Sequence, residues 1–285
     1  MKEPIEKINM GKNKRRIKHI RCSISGFIVT VLLIHVISML TLDRCMEYKE
    51  VSFHSAKISA EMNGYKIAFI SDTHKMTVQE LKEVVSELNK LAPDLLILGG
   101  DFPSAGEEPM RSMEVLSRTV TTDGIYGVEG NHDKHIKLFE AMEQYSIQPL
   151  SNNGVHIRES FYLAGVEDLW NRNPDIKKAT EGALENDFVL LVAHNPDISM
   201  LQSTEKIDLI LSGHTHGGQI TLFGIWAPYF TLRKSITKYG QRFMSGWAES
   251  RDGVPVYVSK GTGYFSHIPR VFARPQVILI TLLSD

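Results

Sequence analysis

The chain has 285 residues, with 32 Lys and Arg against 33 Asp and Glu. The formal net charge of −1 gives no global polarity that would point to nucleic acid. Hydrophobic residues make up 42% and charged residues 23%, ordinary for a globular enzyme of one large or two small domains. With only two cysteines, Cys22 and Cys45, the domain that follows has no internal disulfide framework, so its stability must come from an apolar core.

The charge is unevenly placed. Residues 2–21 carry eight Lys or Arg against two Glu, and read as a basic cytoplasmic tail (1–21). Residues 22–42 then run for 21 residues without Asp, Glu, Lys or Arg. A helix needs roughly 20 such residues to cross the hydrocarbon, and the flanking Lys14, Arg15, Arg16, Lys18 and Arg21 put the N-terminus in the cytosol. The rest of the chain is then expected outside the cell membrane on a single-pass anchor. A cleaved signal peptide is the rival reading, but Ser38-Met-Leu-Thr-Leu-Asp-Arg-Cys45 is a poor cleavage site. Arg15-Arg16 is a weak match to twin-arginine export. His35 inside the run reads as a tolerated residue rather than a functional one.

Residues 43–60 read as a linker with a first strand region, and 61–285 as the domain. Lys66–Ile70 is a buried strand. Thr77-Val-Gln-Glu80 has capping-box spacing. Val78, Leu81, Val84, Val85, Leu88 and Leu91 follow at helical intervals until Pro93 stops the helix. Further strands are expected over 94–98, 125–128, 161–164, 188–192, 208–211, 254–258 and 277–282. The pattern predicts an α/β fold, a layered four-layer-type β-sandwich with flanking helices.

Five of these strands end in metal-capable residues. They are Ser71-Asp72-Thr73-His74, Gly99-Gly100-Asp101, Gly130-Asn131-His132-Asp133, Ala193-His194-Asn195 and Gly213-His214-Thr215-His216. Active sites of open α/β sheets form at strand carboxyl ends, so the five are expected to converge. Carboxylates mixed with imidazoles suit Mn, Fe, Co or Zn better than Ca. There are too many ligands for one tetrahedral site. Two divalent ions roughly 3.5–4 Å apart would use them all, and such a pair clamps both oxygens of an in-line displacement at phosphorus. If the backbone is extended, Asp72 with His74 and His214 with His216 face the same way. The neighbouring glycines would let the chain turn and the ions approach.

This series of blocks, in this order between residues 72 and 216, resembles the calcineurin-like metallophosphoesterase superfamily. The extended forms His194-Asn-Pro-Asp197 and Gly213-His-Thr-His-Gly-Gly-Gln219 are similar to its membrane-associated bacterial branch. That branch includes YkuE- and YaeI-like phosphoesterases and proteins similar to UDP-2,3-diacylglucosamine pyrophosphohydrolases. The resemblance implies that Asp72, His74 and His216 bind one ion and Asn131, His194 and His214 the other, with Asp101 bridging. It implies a bridging hydroxide as nucleophile, His132 near the leaving oxygen as general acid or phosphate-binding cation, and Asp133 supporting His132. The family often has a second Asp three residues after the Gly-Asp; Ser104 stands there instead. Gln276 stands where relatives often have Glu, and no function attaches to it.

The other histidines (His19, His54, His135, His156, His267) match no ligand block and read as surface or packing residues. Asp168 reads as structural. Arg270, at the end of a glycine-rich loop, is a candidate phosphate contact with a structural loop as its alternative. Residues 220–230, Ile-Thr-Leu-Phe-Gly-Ile-Trp-Ala-Pro-Tyr-Phe, with Arg233, Lys234 and Lys238 behind them, suggest an apolar lip for a lipid-linked phosphate ester. A loop packed on the core is the alternative. The expected function is a membrane-anchored dinuclear-metal hydrolase of a phosphoester or pyrophosphate bond, on a phosphorylated lipid-like or cell-envelope substrate. A phosphodiesterase for a soluble nucleotide and a non-catalytic binding module of the same fold are the alternatives. The ligand blocks and His132 are intact, which favours an enzyme. No basic stripe with interleaved aromatics supports nucleic acid.

Overall fold

A computed structural model describes residues 3–102, 109–232, 236–264 and 268–285. Ser104, Arg233, Lys234 and His267, singled out above, lie outside the described residues. The chain opens with helix α1 (Glu3–Leu40), which runs through the basic tail and the apolar segment without a break. Its segment from Lys18 onward is long and apolar enough to cross a membrane and is almost wholly exposed on this chain. A short 3₁₀ turn, Leu42–Arg44, closes it.

In chain order there follow β1 (Glu47–His54), β2 (Tyr65–Ile70), α2 (Val78–Leu91), β3 (Leu95–Leu98), α3 (Pro109–Leu116), β4 (Ile125–Gly127), α4 (His135–Gln144), β5 (Gln148–Pro149) and β6 (Asn153–Arg158). Then come β7 (Phe161–Gly165), α5 (Ile176–Ala179), β8 (Phe188–Val192), α6 (Ile198–Leu201), β9 (Leu209–Ser212), α7 (Pro228–Leu232), β10 (Gly246–Glu249), β11 (Pro255–Val258) and β12 (Gln276–Leu283). Among the described residues they make two six-stranded sheets, ordered β1-β12-β2-β3-β4-β5 and β10-β11-β9-β8-β7-β6.

The layering follows from side-chain alternation along the strands. Ile67, Phe69, Leu95 and Ile97 point from the first sheet onto Leu163, Leu190, Leu209 and Leu211 of the second, and this is the inner core. The opposite faces of the same strands, Ala68, Ile70, Leu96 and Leu98, meet Leu81, Val84, Val85 and Leu88 of α2 and Met113, Leu116, Leu138 and Met142 of α3 and α4. Ala164, Leu191 and Ile210 back onto α5 and α6 on the far side. The result is a helix–sheet–sheet–helix stack, the layered α/β sandwich expected.

Thr77 caps α2 by the expected capping box. Its hydroxyl accepts from Glu80 N, and its own N–H donates to Glu80 Oε2 at 2.7 Å. The helix stops at Ala92, in the left-handed region immediately before Pro93. The strand expected within 43–60 is β1, which pairs in parallel with β12 over eight residues and so joins the first sheet. β6 escaped prediction because it lies at a sheet edge with few buried positions.

Candidate metal centre

Parallel neighbours set the site. β2, β3 and β4 run in parallel in one sheet and β8 and β9 in the other, so their carboxyl ends lie along one rim. That rim gathers all seven residues proposed above as ligands. Asp101 Oδ2 lies 3.4 Å from His74 Nε2 and 3.3 Å from His194 Nε2. Asp72 Oδ1 is 3.4 Å from His216 Nε2, and the Nε2 atoms of His74 and His216 are 3.0 Å apart. The His194 and His214 rings are 5.1 Å apart. Asp101, Asn131 and His214 line one cavity of about 340 Å³ with His132 and His216.

Two groups can hold a metal ion, with ligand atoms within 4.8 Å of one another: Asp72, His74 and His216, and Asp72, Asp101 and His194. His194 of the second group and, near it, His214 and Asn131 are the candidates for a second ion. His194 Nδ1 donates to Gly99 O at 2.7 Å, which fixes the tautomer and aims the Nε2 lone pair into the site. His214 Nε2 donates to Ile236 O at 2.9 Å, leaving Nδ1 as its ligand atom. His194 Nε2 faces the Asp101 carboxylate at 3.3 Å, and Asn131 Oδ1 is buried with no hydrogen-bond partner among the described residues. Unpartnered buried lone pairs of this kind are costly unless a cation or water meets them.

The local backbone is not extended, as the pairing of residues i and i+2 assumed. Asp72, His74, Asp101, His214 and His216 all have positive φ, between 37° and 71°. Asp and His enter this region more readily than most residues, yet each such position still costs on the order of 1–3 kcal/mol. Sharp reversals at the strand ends, rather than pleat alternation, turn both members of each pair inward. Gly100, Gly217 and Gly218 turn at positive φ as expected, but two other glycines act differently. A Cβ on Gly130 would collide with the Asp101 carboxylate, and one on Gly213 with Asp72 Oδ2. Neither has positive φ. These two glycines supply space for the carboxylates themselves.

Asp133 has a task that the sequence did not indicate. Its Oδ2 accepts from Asp101 N (2.7 Å) and Gly130 N (2.8 Å), and its Oδ1 from Phe102 N (2.9 Å). It fastens the Asp101 loop to the Gly130 turn. Arg270 also departs from expectation. It is fully buried, and its guanidinium donates to the carbonyls of Lys260 (2.7 Å), Ala273 (2.9 Å), Gly261 (3.2 Å), His216 (3.4 Å) and Gly263. With its donors on backbone carbonyls, it cannot contact a phosphate; it staples the Gly-rich loop beneath His216.

Electrostatics sort the histidines. Burial pushes His214 down to about 3, helped by the nearby His194. Burial likewise lowers His74, and lowers His216 with the help of His74 and Arg270, so all three offer neutral lone pairs at pH 7. At His194 burial is overcome by Asp101 and Asp72, which raise it to about 10. Its partner Asp101 is held well below the usual carboxylate range by His194 and His74 despite burial. Those carboxylates favour a proton on His194 only while no other cation is present.

Several supports were not legible in the sequence. Asp197 accepts from Thr237 Oγ1 and from Lys238 N (2.8 Å), fixing the segment whose Ile236 carbonyl holds His214. Asp168 Oδ2 accepts from Trp170 N and Asn171 N, at 2.9 and 2.8 Å. That turn sets the Trp170 ring edge-on to His214 at 4.5 Å and lets Asn171 Nδ2 donate to Asn131 O at 2.7 Å. The only sequence signal was an acidic turn after a strand.

A family model described as calcineurin-like phosphoesterase matches residues 65–218, more than half of the chain. The chain belongs to the calcineurin-like phosphoesterase family. It is 30% identical over 224 residues to the uncharacterized protein YpbG of Bacillus subtilis, covering 76% of this chain and 80% of that one. It is 26% identical to the uncharacterized metallophosphoesterase YkuE of the same organism, covering 84% and 86%. A transmembrane protein with metallophosphoesterase domain from Danio rerio is 28% identical over 82% of this chain. This chain spans only 56% of that protein's length. The matched segment contains every Asp, Asn and His of the site.

Proposed function

We propose that the protein is a membrane-anchored dinuclear-metal phosphoesterase or pyrophosphatase acting on a lipid-linked or cell-envelope substrate. The N-terminus lies in the cytosol and the domain outside. The observation that carries the chemistry is the Asp101 carboxylate, placed 3.4 Å from His74 on one side and 3.3 Å from His194 on the other. Asp72, His74 and His216 would hold one ion and Asn131, His194 and His214 the second, with Asp101 between them. Two such ions, drawn from Mn, Fe, Zn or Co, would activate a water for attack and offset charge on the phosphoryl oxygens. Asp133 and the Gly99 carbonyl hold the Asp101 loop and the His194 ring in register. His132 is exposed on the cavity wall, and its role would be to give a proton to the leaving oxygen or to contact the phosphate. Anchoring is supported by the apolar segment of α1 and by its basic N-terminal flank.

The test assays the full-length protein with Mn²⁺ on chromogenic mono- and diesters and on a lipid-linked pyrophosphate. His132→Ala is expected to lose turnover by about 10²–10⁴-fold while keeping its metal. Absence of turnover with every metal tried would instead favour a non-catalytic role.

A further inference from the structure

The apolar lip and the membrane helix touch. The His35 ring of α1 packs edge-on against Phe223 at 4.7 Å and Phe272 at 4.9 Å, and the two phenylalanines lie 5.3 Å apart. The contact is held from both sides. Asp43, buried at the end of α1, accepts from Ser38 Oγ (2.7 Å), Phe272 N (2.8 Å) and Ala273 N (3.1 Å). Arg274 donates to the carbonyls of Cys45 and Met46. The domain therefore cannot rise away from the helix without breaking this clamp.

The helix works as a depth gauge. Arg21 is the last charge on the cytosolic side. His35 follows fourteen residues later, about 21 Å along the axis. A hydrocarbon layer of about 30 Å puts His35, and with it Phe223 and Phe272, roughly 9 Å inside the outer boundary. Asp43 falls close to that boundary by the same measure, as a charged residue should. The lip is shaped accordingly. Phe223 and Gly224 turn at positive φ, and Leu222 N donates to Trp226 O at 2.8 Å. The turn presents Ile225, 79% exposed, at its tip, with Leu222 and Trp226 exposed beside it. A large apolar patch on a soluble surface marks an interaction site. At the other end of the loop, Ile220 and Tyr229 line the metal-site cavity.

We infer that residues 220–229 form a shelf inserted into the outer leaflet, whose partner is the lipid bilayer itself. The metal-site cavity then opens at the membrane surface, where a lipid-borne phosphate reaches it with its tail still in the bilayer. The inference rests on the membrane-anchored part of the proposed function and not on its catalytic part. Depths of 5–10 Å are usual for apolar faces lying in the interface.

The chain has three tryptophans, and Trp226 is the one on the shelf. Full-length protein is reconstituted in phosphatidylcholine vesicles with acyl-brominated lipid, and tryptophan emission is read for wild type and Trp226→Phe. Bromolipid is expected to quench wild type and to lose that quenching component in Trp226→Phe. Equal quenching in both proteins overturns the shelf. So does shielding of Trp226 from both bromolipid and aqueous acrylamide, which would mean a second copy covers it. A second arm uses Ile225→Glu, which should lower turnover of a vesicle-borne phosphate ester about tenfold and leave a soluble ester unchanged. Unchanged vesicle turnover counts against the shelf. Failure of catalysis alone would leave the quenching intact, so the two readings fail separately.

Discussion

Asp133→Asn separates two roles for a carboxylate that neighbours His132 in sequence. The wild-type carboxylate accepts three backbone N–H groups, from Asp101, Gly130 and Phe102. An amide of the same shape keeps one acceptor oxygen, which can serve Asp101 and Gly130, and turns its NH₂ toward Phe102 N–H. One charge-assisted bond is lost, worth about 1.5–3 kcal/mol, and two are weakened by about 1 kcal/mol each. Part of this is returned. Burial and the Asp101 charge push the Asp133 carboxyl up to about 7, so a neutral side chain escapes that penalty. The net destabilisation of the metal-free protein is expected to be about 1–3 kcal/mol. A cation on Asp101 removes the repulsion that the substitution relieves, so the variant should lose more stability with metal than without. By linkage its metal affinity then falls, by about tenfold for an extra 1.4 kcal/mol. Urea denaturation with and without Mn²⁺, with a metal titration of the folded variant, measures both. Wild-type stability and wild-type metal affinity together would show that Asp133 acts on His132 alone, and the loop-fastening role would be refuted.

Three further outcomes follow from the same geometry. Arg270→Met strips donors from several buried carbonyls and should lower stability by about 3–5 kcal/mol with KM for a soluble ester unchanged; a raised KM at unchanged Tm would restore the phosphate contact. Gly130→Ala drives a methyl into the Asp101 carboxylate and should abolish metal binding in a chain that still folds, read by metal content and circular dichroism. Metal uptake at pH 7 should release at least one proton, because His194, raised to about 10, is protonated there and must give up Nε2 to the ion. Calorimetry in buffers of different ionisation enthalpy reads the release. Affinity should weaken as pH falls below 10 and level off above it, and a buffer-independent heat would be the contrary result.

The buried strands were legible because their apolar runs, such as Leu95–Leu98 between Asp94 and Gly99, are bounded by glycine or polar residues. The site was legible for a related reason: each run ends in Asp, Asn or His, and parallel pairing forces those ends together. The bonds that hold the site were not. Asp197 reaches Thr237 across forty residues and Asp133 reaches Asp101 across thirty-two, and no local pattern encodes such partners. Arg270 was misread because an arginine after a glycine-rich loop looks the same in sequence whether it faces a phosphate or a cage of carbonyls. The five left-handed ligand positions were hidden too, since Asp and His adopt that conformation only where surrounding structure imposes it. Phe223 read as part of a lip, but its contact with His35 joins segments nearly two hundred residues apart.

The most direct measurement is anomalous diffraction from Mn²⁺-loaded crystals of the wild type and of Asp101→Ala. Two peaks roughly 3.5–4 Å apart are expected in wild type. One should lie among Asp72, His74 and His216, the other among Asn131, His194 and His214, with both weakened or lost in the variant. A single ion in wild type, or two ions retained without Asp101, would contradict the dinuclear centre.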